Sequence, residues 1–150
     1  MAGIELHPDF REFLKYLNSQ EVEYMLIGGY AVGYHGYPRA TGDMDVWIAV
    51  DQKNANKVVM ALHEFGMPRT ELTKELFLES NRVVRMGVPP VRIEIITGIS
   101  GVEFRDCYSR RESIEIDSVP INVISLDDLR INKKASGRHK DLDDLSHLPP

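Results

Sequence analysis

Cysteine is nearly missing from this chain: Cys107 stands alone in 150 residues. No disulfide can form within the chain, and no Cys/His set has the spacing of a zinc site. Long apolar runs are missing too, since none approaches the ~20 residues that a membrane-spanning helix needs. No membrane partner is therefore expected. The first twenty residues carry Glu5, Asp9, Arg11 and Lys15 where a signal peptide would have its apolar stretch, so a cytoplasmic location is expected. Basic charge is in deficit: 18 Lys and Arg against 23 Asp and Glu give a net charge of −5. That balance argues against a general nucleic-acid coat, while a local basic surface is still compatible with it. There is no internal repeat and no low-complexity linker. What is present, 43% hydrophobic and 27% charged residues, is ordinary for one globular domain with one core. It leaves no room for a separate large substrate domain.

Against this plain background, the stretch IGGYAVGYHGYPRATGDMDVWI carries two carboxylates one residue apart, Asp43 and Asp45, at the start of an apolar run. Strand side chains alternate between faces, so Asp43 and Asp45 would share one face while Met44, Val46 and Ile48 bury the other. Two oxygen ligands converging in this way suit a hard cation, magnesium or manganese. Asp43 follows Thr41-Gly42, where turn chemistry explains an Asp equally well. Asp45 lies inside DMDVWIAV, where strands are depleted in Asp. Upstream, residues 24–27 read as a buried strand ending on Gly28 and Gly29 ahead of a helical segment. Such an arrangement presents backbone amides to a phosphate, although a glycine pair after a strand is also a common turn.

A third carboxylate is expected from a neighbouring strand. Glu94 lies in VRIEIIT with Ile93 and Ile95 on one face and Arg92, Glu94 and Ile96 on the other. An acid among β-branched neighbours must be paired, hydrated or metal-bound, and a cross-strand ion pair with Arg85 or Arg92 is the competing explanation. Glu103, in a predicted helix, and Glu115, in a late strand, are weaker substitutes. Cations cluster near the C-terminus as Arg130, Lys133, Lys134, Arg138 and Lys140, just ahead of Asp141-Leu142-Asp143-Asp144. They read either as a solvated helix face or as neutralising charge for a polyphosphate. Tyr30, Tyr34, His35 and Tyr37 suit packing of a short helix and its exit loop, with base stacking as the alternative. Trp47 shares the strand face of Asp45 and reads as core beneath the site.

Periodicity predicts helices over 7–18, 29–35, 54–65, 73–79 and 104–110, and strands over 24–27, 45–50, 81–86, 91–97, 113–116 and 121–124. Gly87-Val88-Pro89-Pro90 would turn the 81–97 hairpin. A final helix starts at Ser125 as N-cap with Asp128 in the capping-box position. The result is one α/β (α+β) unit over 1–150, a mixed sheet flanked by helices with its core over about 1–124 and a short C-terminal helical segment over 125–150.

The front motif, Ile27-Gly28-Gly29, a spacer over 30–42 and then Asp43-Met44-Asp45-Val46, resembles the signature of the nucleotidyltransferase superfamily that includes DNA polymerase beta and the minimal nucleotidyltransferases. Within it the chain looks closest to small AbiEii-type abortive-infection toxins. Arg39 and Thr41 precede Asp43 as in an Arg-x-Thr-x-Asp-x-Asp run, and KKASGRHKDLDDL resembles that subgroup's Lys-rich helix followed by a basic residue and Asp-Leu-x-Asp-Leu. The resemblance touches residues 24–50, the surroundings of 94, and 125–145. The chain is shorter than typical members of that group, and Gly-Gly replaces the Gly-Ser of other branches, which removes a serine hydroxyl from the phosphate site.

The resemblance implies a nucleotidyltransferase fold and metal-dependent transfer of a nucleoside monophosphate from a nucleoside triphosphate to a hydroxyl of RNA, protein or a small molecule. Asp43, Asp45 and Glu94 would be catalytic and would hold Mg2+ or Mn2+ in a two-metal site. Gly28, Gly29, Arg39, Lys134, Arg138 and Lys140 would bind the nucleotide. A toxin of this kind implies an antitoxin partner, and a homodimer is one way to complete so short a cleft. The competing expectation is a catalytically inactive nucleotide-binding or partner-binding regulatory domain.

Overall fold

The computed structural model describes residues 6–67 and 72–150. Helix α1 (Pro8–Ser19) starts where the His7 ring accepts the Asp9 amide and Pro8 needs no donor partner, and it buries Phe10, Phe13, Leu14 and Leu17. This is the apolar stripe that the spacing predicts. Strand β1 (Tyr24–Ile27) is buried throughout and runs directly into α2 (Gly28–Tyr34). Strand β2 spans Asp43–Ile48. Beyond β2 the Ala49 amide still donates to the Glu23 carbonyl, and Asp51 then caps α3 (Gln52–Glu64), its carboxylate accepting the Asn54 amide at 2.7 Å. The Asn54 side chain then ties α3 to Glu23 and Ala49 through backbone hydrogen bonds.

A single 3-10 turn, Lys74–Phe77, occupies part of the predicted 73–79 helix and drops Phe77 into the core. β3 (Val83–Val88) and β4 (Val91–Ile96) form the predicted hairpin, but β3 starts later and runs on through Gly87 and Val88, so that Pro89 and Pro90 alone make the turn. Then follow α4 (Phe104–Ser109), β5 (Glu112–Ile116), β6 (Val119–Val123), α5 (Leu126–Ser136) and α6 (His139–His147). Gly137 closes α5 in the left-handed region, with φ of 68°, which suits glycine at a helix end. Ser125 caps α5 as expected, accepting the Asp128 amide. Asp128 does not complete the capping box. Its carboxylate accepts the Ser125 hydroxyl and both ends of the Arg110 guanidinium, because a buried acid is better satisfied by a charged fork than by one more backbone amide.

The six strands form one mixed sheet in the order β3-β4-β2-β1-β6-β5. β2 is antiparallel to β1 and parallel to β4, while β1 is parallel to β6. The acidic strand is thereby central, with Asp45 opposite Ile27 on one side and Glu94 on the other. Met44, Val46 and Ile48 are fully buried, which is the alternation that the sequence predicts. The second strand starts at Asp43 and not at Asp45, because Asp43 pairs in register with Arg92 and the ladder continues through that ion pair. Among the described residues, no helix is long and apolar enough to cross a membrane.

Candidate active site

Two parallel neighbours in register bring the acids together. Asp43 and Asp45 project from β2 and Glu94 from β4, and one carboxylate oxygen from each lies within 4.8 Å of the others. The three border a cleft of about 360 Å³ whose walls include Gly28, Gly29, Arg39, Arg85, Lys133, Arg138 and Lys140. Of the residues predicted to bind nucleotide, Lys134 is exposed and does not line this cleft. Its neighbour Lys133 does, as does the predicted Lys140.

Neutralisation within the acidic set is uneven. Arg92 donates to both oxygens of Asp43, at 2.7 and 2.9 Å, and approaches Glu94 at 3.4 Å, while Arg85 donates to Glu94 at 3.2 Å. The cross-strand pairing raised for Glu94 is therefore real, and it coexists with the carboxylate cluster. Hydrogen bonds from Arg92 hold the Asp43 carboxyl below its ordinary range. Asp45 is the reverse case. Burial, then Glu94, then Asp43 push its pKa up to about 7, and its Oδ1 is buried with no hydrogen-bond partner among the described residues. A buried, partnerless carboxylate oxygen beside two more carboxylates fits a divalent cation held by oxygen ligands.

The glycine pair is fixed by packing. Gly28 adopts φ of 64°, and a Cβ there would collide with Oδ2 of Asp45. A Cβ on Gly29 would meet Thr41 Oγ1 at 2.7 Å. The glycines thus let the start of α2 lie directly against the acidic strand, and Thr41 in turn donates to the Asp43 carbonyl.

A second charge network joins the C-terminal segment to this wall. Lys133, 5% exposed, donates to Asp141 at 3.1 Å and to Asp144 at 3.0 Å. Arg39 grips Asp144 at 2.7 and 2.9 Å, and Arg138 and Ser136 donate to Asp141. Burial opposes charge on both aspartates, but Arg138, Ser136 and Lys133 outweigh it at Asp141, and Arg39 and Lys133 outweigh it at Asp144. Both are held below the usual carboxylate range, Asp141 well below it. Arg39 therefore reaches the cleft with its fork already engaged, whereas Lys140 lines it with no ion-pair partner among the described residues. The sequence reading sets Lys133 in the basic cluster but not among the nucleotide-binding residues, and it misses the pairing of that cluster with Asp141 and Asp144 and the grip of Arg92 on Asp43. Helical spacing carried a signal for Lys133, which lies one turn from the buried Leu129.

Other candidates lie elsewhere. Tyr30 meets Phe10 edge-on, Tyr34 donates to Glu112, the His35 ring contacts the Ile124 carbonyl, and Tyr37 stacks on His147 at 4.1 Å. These contacts are packing of α2 and its exit. Trp47 is buried, as predicted. Glu115 sits on β5 opposite Pro120, and Glu103 immediately precedes α4 instead of lying in it.

No protein-family model matches the chain, and no curated protein matches it. Solved structures do. A candidate nucleotidyltransferase of Thermotoga maritima superposes with a TM-score of 0.65 at 17% identity, over 95% of this chain and 93% of that one. An antigenic nucleotidyltransferase-like protein of Paracoccidioides brasiliensis gives 0.53 at 17% identity, over 95% of this chain and 76% of the other. With β2 central in a mixed sheet and the acids of β2 and β4 side by side, the chain has the fold of these nucleotidyltransferase-like proteins.

Proposed function

We propose that the chain is a metal-dependent nucleotidyltransferase that moves a nucleoside monophosphate from a nucleoside triphosphate to a hydroxyl. The observation that carries this reading is the convergence of Asp43, Asp45 and Glu94, with a buried oxygen of Asp45 that has no hydrogen-bond partner among the described residues. These three side chains would hold magnesium or manganese, which when bound supplies positive charge to the attacking and leaving oxygens of an in-line displacement.

The chain's own groups supply the rest. Backbone amides at Gly28 and Gly29 face the triphosphate, and Lys133, Arg138 and Lys140 balance its charge. The acceptor oxygen bonds to the α-phosphorus as the bond from that phosphorus to the bridging oxygen of the β-phosphate breaks, and pyrophosphate leaves. Glu94 accepts the hydroxyl proton. Arg92 must loosen its grip on Asp43 for that carboxylate to take a metal.

The finer reading is a toxin of the abortive-infection kind, with an antitoxin partner. What supports it is that the two sequence matches behind it touch each other: Arg39 of the front run grips Asp144 of the tail. A single unit over 1–150 is part of the same proposal. One observation favours the alternative of a catalytically inactive nucleotide-binding domain, namely that arginines already neutralise Asp43 and Glu94.

Pyrophosphate release with each nucleoside triphosphate, with and without magnesium, separates the two readings. Transfer predicts metal-dependent release by wild type and none by Asp43→Asn. A binder predicts a magnesium-dependent rise in melting temperature without release.

A further inference from the structure

Beside the carboxylate cleft lies a second hollow of about 410 Å³. The two adjoin, since Gly98 and Ile99 border both. Trp47, in the wall of the second hollow, stands two residues beyond Asp45 on β2, hence ~7 Å along the strand. The hollows differ in charge. The cleft presents Arg39, Arg85, Lys133, Arg138 and Lys140 against Asp43, Asp45, Glu94 and Asp141, so cations outnumber acids there, whereas the second hollow presents Asp51 and Glu103 against Arg105, so acids outnumber cations. Glu23 holds the Arg105 guanidinium at both ends, at 3.0 and 2.9 Å. Asp51 caps α3, and the Glu103 side chain has no hydrogen-bond or ion-pair partner among the described residues. Val50, Ile99 and Val102 give the hollow an apolar lining. Trp47 lines the hollow, and its Nε1–H is buried and has no partner among the described residues.

We infer that this second hollow seats the acceptor, and that the acceptor presents there an ammonium beside an aliphatic body and no phosphate. The inference rests on the transfer reading. Polyphosphate belongs where cations outnumber acids and a metal joins them, and the second hollow, where acids outnumber its one cation, repels it. An amine set between Asp51 and Glu103, with its carbon chain on Val50 and Val102, matches the charge and the lining together. A polynucleotide acceptor would bring phosphates to the acidic rim. Two sources share the favoured chemistry, a small amino alcohol and a serine or threonine next to lysine in a protein.

Trp47 is the chain's one tryptophan, so its fluorescence reports on this hollow. The full chain, free of metal and nucleotide, is titrated with aminohexanol, hexanediol, an acetylated lysyl-serine amide and oligouridylate. A saturable change is expected with the amines, a weaker one with hexanediol and none with oligouridylate. Glu103→Lys should weaken the amines about fivefold, the scale of an exposed ion pair turned repulsive. Val102→Phe should abolish the response by filling the hollow. Asp43→Asn should leave it unchanged, because that carboxylate borders the other cleft. Saturation by the peptide alone assigns a protein hydroxyl, and saturation by aminohexanol assigns a small molecule. Three results would overturn the inference: no response to either amine, tighter binding of oligouridylate than of the amines, or unaltered amine affinity in Glu103→Lys. Magnesium-dependent stabilisation by a nucleoside triphosphate tests the transfer reading separately, so failure of one is distinguishable from failure of the other.

Discussion

Two sets of carboxylates sit little more than a cleft's width apart and are treated in opposite ways. On the sheet, the Asp45 pKa is pushed up to about 7, and one of its oxygens has no partner among the described residues. In the C-terminal segment, Asp141 and Asp144, each 1% exposed, are held low by Lys133, Arg138, Ser136 and Arg39. Burial alone would raise all three. The difference lies in donors: the tail places a cation against each acid, whereas the sheet places two further acids beside Asp45. An acid set completed from within is architecture. A set left short of positive charge is built to receive it from outside, and the tail's architecture keeps Lys133 and Arg138 in the wall that faces it.

Neutralising the sheet set should break this contrast most completely. Asp43→Asn or Asp45→Asn is expected to cut pyrophosphate release by about 10³-fold or more, ~4 kcal/mol of barrier, with the fold retained. Full activity in either variant would mean that the two sets do not differ in function. The corresponding change in the tail is Lys133→Met, which leaves Asp141 and Asp144 short of a shared donor. Breaking one partner of a buried pair costs about 3–5 kcal/mol, so denaturant unfolding should show a loss on that scale. A loss below ~1 kcal/mol would show that Arg39, Arg138 and Ser136 satisfy the aspartates unaided.

pH separates the sets by sign. Asp45 has a higher pKa folded than unfolded, so the folded chain binds the extra proton between about pH 4 and 7 and its stability falls as pH rises through that window. Asp141 and Asp144 have lower pKa values folded than unfolded. Their contribution is present above about pH 4 and is lost on acidification. Without metal, the melting temperature should therefore decline from pH 4 to 7 by an amount on the order of 2 kcal/mol in stability, and Asp45→Asn should flatten that limb. Magnesium should stabilise more at pH 7 than at pH 5. A wild-type curve flat from pH 4 to 7 would show that Asp45 already has its countercharge.

Much of the sheet set was legible in the sequence because strand alternation is local: Asp43, Asp45, Met44, Val46 and Ile48 fall as a period of two demands. The tail set was not, since Arg39 and Asp144 lie 105 residues apart and nothing local says which lysine of Lys133-Lys134 turns inward. The two carry the same charge, and one helical turn from the buried Leu129 favours Lys133 for the inward position. Strand limits slipped for a related reason. Asp43 reads as turn chemistry until Arg92 stands opposite it, and Gly87-Val88 reads as turn until β4 pairs with it. The glycine pair was found, but the reason for it, the close approach of Asp45 and Thr41, belongs to the packing.

Arg92 is where the two treatments meet, and it gives the smallest and most discriminating effect. Its guanidinium holds Asp43 at both oxygens and leans on Glu94, so part of the sheet set is completed from within, as the tail is. Arg92 is 31% exposed, which makes its pair with Asp43 a weak competitor that an ion of higher charge density can displace. Arg92→Gln should therefore tighten magnesium or manganese binding about three- to tenfold, ~1 kcal/mol, read as a lower metal concentration at half-maximal thermal stabilisation. Weaker metal binding would mean instead that Arg92 orients Asp43 for the ion and that its contact with Asp43 persists in the metal-bound state. Asp45, with its partnerless oxygen, would then be the one carboxylate of the three whose charge balance waits on the metal.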